Sequence, residues 1–229
     1  MDRKAEPEFM NTKDQVDSYS VADFSKGEIK FIQLIKNYLK KYNIHLNRND
    51  LIVDLGCGPG NISEKLSIEW PNTPVIGIDG SKEMIDKAKI RKNSQEKSLN
   101  NLNYLCADIK NIKLADISDK KHINLLVSNS LIHHLTHINE FFECVISLSG
   151  ENTLNFHKDL IRPINKKYAL ELKAKCASKY NETLTNDYYA SLQASYRADE
   201  LRKLILEKNL INLDVLEEDN EYLILYGSV

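Results

Sequence analysis

Residues 51–61 combine an apolar run, one acid and three closely spaced glycines, a pattern that could bind a small charged molecule. The acid is Asp54, and it is followed by Gly56, Gly58 and Gly60. The apolar run predicts a buried parallel strand, and the glycines predict a tight loop leading into a helix. A carboxylate two residues before the first glycine would repel a pyrophosphate and attract a cation. The pattern therefore favours a cofactor that carries positive charge and no phosphate.

The spacing of the glycines separates this loop from those that bind dinucleotides. Dinucleotide loops follow Gly-x-Gly-x-x-Gly, so that the pyrophosphate can lie on a helix N-terminus. Here the spacing is Gly-x-Gly-x-Gly, and Asn61 occupies the position of the third glycine. S-adenosylmethionine (SAM) carries an α-ammonium and a sulfonium but no phosphate, and it suits an acid followed by glycines. Residues 53–61 resemble the first motif of the class I SAM-dependent methyltransferases.

Two further predicted strands also end in acids. The strand at 74–79 ends in Asp79, which in a doubly wound sheet would reach the crevice above the glycine loop and accept hydrogen bonds from both ribose hydroxyls. The strand at 102–107 is followed by Asp108 and Ile109. The resemblance implies that the acid binds the adenine amino group and that the apolar residue packs on the ring. Either acid alone could be a helix cap, but three acids at strand ends favour the cofactor site.

The resemblance implies a set of cofactor-binding residues around these strand ends and on neighbouring segments. They are Tyr19, Asp54, Gly56, Cys57, Gly58, Asn61, Asp79, Gly80, Met84, Asp108, Ile109, Asn129 and Ser130. Tyr19 lies in an N-terminal segment of the kind that closes over SAM in many small-molecule methyltransferases. The alternative is that Tyr19 is an ordinary packing residue. The cofactor would be SAM, and the product S-adenosylhomocysteine (SAH).

Methyl transfer is an in-line displacement, so positioning of donor and acceptor can supply about 7–11 kcal/mol without covalent participation. No catalytic residue is therefore obligatory. A general base would help if the acceptor is a hydroxyl or an ammonium, and the candidates are His133, His134 and Asp159. The pair of histidines followed by leucine is common at this place in the family, where one histidine often has only a structural role.

Arg162 and His157 are the candidate substrate contacts. Residues 159–163 resemble an Asp-Leu-x-Arg-Pro signature that follows the fifth strand in a subset of small-molecule methyltransferases. Arg162 could hold a substrate carboxylate or phosphate through two N–H groups, or it could form an internal ion pair with Asp159. The chain departs from the family pattern at 149–151 and at Asn155, where an apolar residue is usual. No metal site is predicted.

Hydrophobic periodicity predicts seven strands separated by helices. The strands are predicted at 51–53, 74–79, 102–107, 123–127, 153–157, 213–216 and 222–226, and the helices at 12–22, 27–43, 60–69, 81–92, 137–148, 166–177, 186–194 and 198–208. This order is similar to that of the methyltransferase fold: a Rossmann-like, doubly wound, mostly parallel seven-stranded sheet with a C-terminal antiparallel hairpin. We expect residues 1–44 to close over the cofactor cleft, 45–229 to form the methyltransferase domain, and 164–195 to be a helical cap insertion over the substrate.

Composition limits the remaining possibilities. The chain has 229 residues, of which 42% are hydrophobic and 28% charged, which predicts an ordered globular protein. No apolar run approaches the roughly 18 residues of a membrane helix, and residues 1–8 lack the apolar segment of a signal peptide. The four scattered cysteines are typical of reduced thiols, so a cytoplasmic location is expected. A net charge of −2 disfavours nucleic acid as a partner.

These observations predict a SAM-dependent methyltransferase that acts on a small molecule in a closed cleft, as a monomer or homodimer. The acceptor atom, oxygen, nitrogen or carbon, is left open. One alternative is a methyltransferase of RNA or protein. Another is a protein that binds SAM without transferring its methyl group.

Overall fold

A computed structural model describes residues 1–6, 13–95, 98–117 and 122–229. The strands are β1 (Ile52–Leu55), β2 (Val75–Asp79), β3 (Leu102–Cys106), β4 (Leu125–Asn129), β5 (Leu154–Leu160), β6 (Leu213–Glu217) and β7 (Tyr222–Gly227). The helices are α1 (Lys13–Val21), α2 (Ser25–Lys41), α3 (Asn61–Glu69), α4 (Lys82–Asn93), α5 (Leu114–Ile117), α6 (Ile138–Leu148), α7 (Lys166–Ala177), α8 (Glu182–Ala194) and α9 (Ala198–Glu207).

The strands form a single seven-stranded sheet in the order β3-β2-β1-β4-β5-β7-β6. The first five strands are parallel, and β7 lies antiparallel between β5 and β6. This confirms the predicted Rossmann-like sheet with its closing hairpin. The strand order reverses between β1 and β4, so the ligand crevice of an open α/β sheet lies at their carboxyl ends. Asp54 on β1, Asp79 on β2 and Asn129 on β4 all lie at that edge.

Helices cover both faces of the sheet, which explains why β1 is apolar except for Asp54, next to its carboxyl end. On one face Ile52 packs in a cluster with Phe31 of α2 and Leu66 of α3. On the other face Val53 packs in a cluster with Phe141 of α6. Because successive side chains of a strand point to opposite faces, a strand buried on both sides is apolar without alternation.

Helices α7 and α8 form the insertion after β5. They pack on each other, and a small cluster of Leu160, Leu172 and Leu192 joins them to the end of β5. Helix α8 begins at Glu182, earlier than predicted, because the Asn181 side chain accepts a hydrogen bond from the Leu184 amide at 2.9 Å and caps the helix. The apolar period predicted from the sequence begins later because Leu184 is the only apolar residue in the first turn of α8.

Two short elements were not predicted, namely α5 and a 3-10 turn at Ile132–His134, and both are too short to show a period. Residue 12, the first of the predicted N-terminal helix, lies outside the described residues. Asn155, the polar residue in β5, is fully buried and lies within hydrogen-bonding reach of Ser149 Oγ and His157 Nε2, each at 3.3 Å. None of the helices in the described part of the chain combines the length and the hydrophobicity that a membrane-spanning helix needs.

Candidate active site

A cavity of about 580 Å³ opens at the carboxyl ends of the parallel strands. Its floor is the glycine loop and the ends of β1, β2 and β4, and its roof is made by α1, α7 and α8. All thirteen residues that sequence analysis assigned to the cofactor line it, as do His133 and His134. The structure therefore brings these residues to one place, and their contacts with a cofactor stay predictions.

The glycine loop takes backbone angles that only glycine adopts without strain. Gly58 has φ +53° and Gly60 has φ +88°. A Cβ on Gly60 would lie 2.2 Å from the Tyr104 hydroxyl, so this glycine also allows close packing beneath the loop. A Cβ on Gly58 would meet no atom within 4 Å. Since Gly58 lines the cavity, that open space is room for a ligand to approach the backbone.

Asp54 is a buried acid that forms no ion pair with any of the described residues. It is 1% exposed, and the Ser63 hydroxyl donates a hydrogen bond to its Oδ2 at 2.6 Å. Burial raises the pKa of Asp54 to about 7, the Ser63 bond opposes that shift, and the nearby charge of Asp79 adds to it. A ligand that carries positive charge would favour the ionised carboxylate, as sequence analysis proposed for this residue.

Asp79 connects the end of β2 to the glycine loop. Its Oδ2 accepts a hydrogen bond from the Gly58 amide and its Oδ1 accepts one from the Ser81 amide, each at 2.8 Å. Burial raises the pKa of Asp79, and the two amide bonds oppose the rise. Each carboxylate oxygen has a second lone pair. Asp79 can therefore hold the loop and still accept hydrogen bonds from two hydroxyls.

The ends of β3 and β4 supply the other side of the predicted cofactor site. Asp108 accepts a hydrogen bond from the Lys110 amide at 3.0 Å, which fixes a turn, and Ile109 is buried beside it. Ser130 has φ +59°, and its amide donates to the Lys158 carbonyl at 2.9 Å. The chain is thus bent sharply after Asn129, away from the sheet and along the cavity.

Glu28 is a lining residue that sequence reasoning missed. Asn61 donates a hydrogen bond to Glu28 Oε1 at 2.7 Å, and Lys65 forms an ion pair with Oε2 at 2.7 Å. Glu28 is on α2, far along the chain from the glycine loop, and an acid in the first turn of a helix is normally exposed. No local signal identified it.

His133 is the centre of a buried polar network. Its Nδ1 contacts Asp159 Oδ1, and Asp159 also accepts hydrogen bonds from the amides of Ile132 at 2.6 Å and Leu160 at 2.7 Å. Burial opposes charge on the ring, but Asp159 and Glu6 outweigh it and raise the pKa of His133. Burial also opposes charge on Asp159, and His133 with the two amides outweighs it and lowers the pKa of Asp159.

Asp159 is not among the residues that line the cavity. Asp159 lies behind His133 and fixes the orientation of that ring. Its position does not allow direct contact with a substrate in the cavity. His134 is partly exposed and lines the cavity, and its ring centroid is 4.3 Å from that of His133. Of the three catalytic candidates, the two histidines are therefore the ones that reach the cleft.

The expected substrate contacts at His157 and Arg162 do not fit the structure. His157 is fully buried, beside Ser128 Oγ and Phe141, and burial lowers its pKa to about 3, so the ring is neutral. Arg162 is 5% exposed and donates to the carbonyls of Met1 and Ser195 and to Glu200. Neither residue lines the cavity.

Arg162 also does not form the alternative ion pair with Asp159. Its guanidinium binds Glu200 at 2.5 Å, while Asp159 is held by His133 and two amides. Residues 159–163 resemble the Asp-Leu-x-Arg-Pro signature. In this structure, however, the Arg162 side chain joins the end of β5 to the N-terminal residues and to α9.

Lys158 and Leu160 are the residues of β5 that line the cavity, and Lys158 is the charged one. It is 4% exposed, and its Nζ lies 3.7 Å from the centroid of the Tyr222 ring. No carboxylate oxygen of the described residues lies within 4.0 Å of this ammonium. Burial lowers its pKa, and the more distant Glu218 and Asp219 oppose that shift. Among the described residues, this buried ammonium in the cavity has no ion-pair partner.

The cover of the cavity is made by two segments that hold each other. The ring centroid of Phe24 lies 4.9 Å from that of Tyr19 and 5.5 Å from that of Tyr180. Tyr180 is in the segment that connects α7 to α8. The Tyr180 hydroxyl donates to the Asp23 carbonyl at 3.0 Å, and Gln15 donates to Asp187 of α8 at 3.2 Å. The N-terminal helix and the insertion thus meet above the cleft.

Three features characterise the site: a mostly parallel sheet with acids at its strand ends, a glycine loop with open space beside it, and a buried acid that a positive charge would stabilise. Together they define a Rossmann-like protein that binds a cationic nucleoside cofactor. Residues 46–207 match the methyltransferase domain family. The chain belongs to this family, and with it to the class I SAM-dependent methyltransferases.

Two curated relatives match about half of the chain. Trans-aconitate 2-methyltransferase of Escherichia coli O157:H7 is 30% identical over 105 residues, which are 46% of this chain and 37% of that protein. Malonyl-[acyl-carrier protein] O-methyltransferase of Bacillus cytotoxicus is 32% identical over 125 residues, which are 54% of this chain and 38% of that protein. The matches span less than two fifths of the length of these relatives.

Solved structures of methyltransferases have the same fold over almost the whole chain. The plantazolicin methyltransferase BpumL, in complex with a pentazolic desmethylPZN analog and SAH, has a TM-score of 0.71 at 16% identity, covering 94% of this chain and 91% of that one. A SAM-dependent methyltransferase from Aquifex aeolicus has a TM-score of 0.65 at 19% identity, with coverages of 92% and 96%. At these identities the likeness concerns the fold.

Proposed function

We propose that this protein transfers the methyl group of SAM to a small anionic molecule bound in the cleft. The observation that carries the proposal is Lys158, a buried ammonium that lines the cavity and has no carboxylate within 4.0 Å among the described residues. Burying a charge without a partner costs free energy. An anionic group of the substrate would supply that partner.

The enclosed shape of the site supports a small acceptor. The cavity of about 580 Å³ has the size of a small-molecule site, for which about 300–1,000 Å³ is usual. The contact of Phe24 with Tyr180 covers part of the cleft. A folded protein or a nucleic-acid duplex would have to displace this cover, whereas a metabolite can be enclosed by it.

The names of the curated relatives agree with an anionic acceptor. Trans-aconitate and the malonyl group both carry free carboxylates, and the relatives are named for methylating these compounds. In this chain the carboxylate would lie against the Lys158 ammonium, with the ring of Tyr222 beneath it. A charge-assisted hydrogen bond of this kind contributes about 1.5–3 kcal/mol.

The cofactor would be oriented by the acids at the strand ends. We assign the SAM ammonium to the region of Asp54, the ribose hydroxyls to Asp79 and the adenine to Asp108 and Ile109. These contacts would orient the sulfonium methyl and Lys158 would orient the acceptor, so that proximity could supply about 7–11 kcal/mol of the barrier reduction. His134, which reaches the cavity, is the candidate general base where the acceptor must lose a proton.

Two measurements test the proposal. Isothermal titration with SAM and SAH, with NAD as the negative control, establishes the cofactor. SAH release is then measured with a panel of di- and tricarboxylic acids and with a matched panel of neutral amides and amines. We expect both adenosyl ligands to bind in the micromolar range and methylation only among the acids.

Lys158→Met tests the anchor, because methionine keeps the apolar stem and removes the charge. We expect the KM for the acid to rise at least tenfold while the affinity for SAH is unchanged. Lys175→Met is the matched control, since Lys175 is an exposed lysine that lines the same cavity. Equal KM values in wild type and Lys158→Met would contradict the anionic anchor. SAM binding without methylation of any panel member would favour a binding protein.

A further inference from the structure

Glu6, His133 and His134 form a compact group of potential metal ligands at the edge of the cavity. A carboxylate oxygen of Glu6 and one ring nitrogen of each histidine lie within 4.8 Å of one another. Oε1 of Glu6 is 3.6 Å from Nε2 of His133 and 3.2 Å from Nδ1 of His134. Both histidines line the cavity.

These distances fit the coordination of a small divalent ion. Zinc binds imidazole nitrogen and carboxylate oxygen at about 2.0–2.2 Å, so two ligand atoms of a tetrahedral site lie about 3.3 Å apart. The two distances from Glu6 Oε1, 3.2 and 3.6 Å, lie on either side of this value. A contact of 3.6 Å is too long for a hydrogen bond, but it leaves room for an ion between the two atoms.

The surroundings of His133 also match those of a metal-binding histidine. Such a histidine usually donates its other ring N–H to a carboxylate, which fixes the tautomer and the ring orientation. His133 Nδ1 contacts Asp159 Oδ1, and Nε2 lies 3.6 Å from Glu6 Oε1. In the neutral ring with its proton on Nδ1, Nε2 offers a lone pair on the side of Glu6. Asp159 is itself held by two backbone amides, and Glu6 accepts a hydrogen bond from Ser191 Oγ at 3.1 Å. Both carboxylates are thus oriented by the protein.

We propose that Glu6, His133 and His134 bind one divalent transition-metal ion, Zn²⁺ or a metal of similar preference. Two imidazoles and one carboxylate suit zinc, cobalt and iron better than magnesium or calcium. Three protein ligands leave at least one coordination position open. An oxygen of the anionic substrate could occupy that position, since both histidines line the cavity. This role rests on the proposed function, whereas metal binding does not, and with the ion bound His134 would be a ligand and not the general base.

The proposal departs from sequence analysis, which predicted no metal site. Glu6 is far from the two histidines along the chain, so no ligand spacing is visible in the sequence. The N-terminal residues are held by long-range bonds: Arg3 donates to the carbonyls of Ala194 and Leu135, and the Lys4 amide donates to the Gln193 carbonyl at 2.9 Å. These bonds place Glu6 beside the histidines.

The test uses the full chain after treatment with a chelator, with neither SAM nor acceptor present. Zn²⁺ binding is measured by isothermal titration, and Co²⁺ binding by visible absorption, which reports coordination number and nitrogen ligation. We expect one ion per chain and a Co²⁺ spectrum of a four- or five-coordinate site. Absence of binding, or a six-coordinate Co²⁺ spectrum without nitrogen ligands, would overturn the proposal.

Variants locate the ion. Glu6→Gln and His134→Gln each remove one ligand and should weaken Zn²⁺ binding at least tenfold, and Asp159→Asn should weaken it about 10–100-fold through the orientation of His133. His137→Gln is the control, because His137 is exposed on the same stretch of chain. Unchanged affinity in Glu6→Gln and His134→Gln would refute the site. Retained binding of SAH shows that a variant is folded. If a variant fails to fold, the Co²⁺ spectrum of the wild-type protein still tests whether the metal site exists.

Discussion

The Gly58 amide donates a hydrogen bond to Asp79 Oδ2 at 2.8 Å, so the acid that ends β2 also supports the glycine loop that follows β1. The first prediction concerns this acid. Asp79→Ala leaves the amides of Gly58 and Ser81 without their acceptor and removes the predicted ribose contact. Each charge-assisted bond contributes about 1.5–3 kcal/mol, so we expect the affinity for SAM and SAH to fall at least 100-fold in isothermal titration.

Asp79→Asn is the control for this prediction, because asparagine keeps one acceptor oxygen and the shape of the side chain. We expect it to bind SAH more weakly than wild type and more tightly than Asp79→Ala. Equal binding by wild type and Asp79→Ala would show that the ribose lies elsewhere.

The second prediction uses the two glycines with different surroundings. Gly60→Ala should destabilise the fold, since its Cβ would lie 2.2 Å from the Tyr104 hydroxyl at a φ of +88°. In Gly58→Ala the new Cβ would have no atom within 4 Å. The substitution would therefore destabilise the fold only through the strain of a positive φ, about 1–3 kcal/mol. We expect Gly58→Ala to fold with a modestly lower Tm and to lose SAH binding. A Gly58→Ala protein that binds SAH like wild type would mean that the ligand does not approach this loop.

The third prediction concerns the pH dependence that Asp54 creates. Its pKa is about 7 in the folded protein against 3.8 ordinarily, so the unfolded chain loses this proton at lower pH than the folded protein does. Between these two values the folded state binds more protons, and the free energy of unfolding therefore falls as the pH rises. Above about pH 7 the loss is complete.

Asp54→Asn removes this penalty and keeps an acceptor for Ser63. We expect its Tm to exceed that of wild type at pH 8, and the difference to shrink as the pH is lowered towards 4, in thermal unfolding without ligand. The same variant should bind SAM at least tenfold more weakly, because it lacks the charge that faces the ammonium. A Tm difference that does not change with pH would show that Asp54 does not titrate in this range.

The fourth prediction separates a structural role of Arg162 from the substrate role that the sequence suggested. Arg162→Leu breaks the bond to Glu200 and leaves the carbonyls of Met1 and Ser195 without a donor. We expect the free energy of unfolding to fall by about 2 kcal/mol or more, measured with urea, and the KM for the acceptor to stay within twofold. A large rise in KM with unchanged stability would restore the substrate role.

The cofactor side of the site could be predicted from the sequence because it is built from local features. Asp54 and Asp79 end parallel strands, and parallel strands carry their carboxyl ends to one edge of the sheet. The fold requires only the order of the elements to bring them together. The glycine loop is equally local, since its backbone angles depend on the residue type at each position.

The substrate side could not be predicted, since it depends on contacts between distant segments and on the direction of side chains. Along β5 the side chains alternate, so Lys158 faces the cavity while His157 and Asp159 face the opposite side of the sheet. The sequence identified residues 157–162 as part of the substrate side, but it did not show towards which face of the sheet each side chain of β5 points. Glu28 and Glu6 reach the site only through the packing of the N-terminal segments.

The ring of Phe24 contacts those of Tyr19 and Tyr180 in tilted arrangements, across the gap between the N-terminal helix and the insertion. They make a latch over a single chamber in which donor and acceptor would lie together. We expect SAH and methylated product to leave faster when the latch parts. We therefore expect the turnover number to depend on solvent viscosity, and a loosened latch, as in Phe24→Ala, to exchange SAH faster while holding it less tightly.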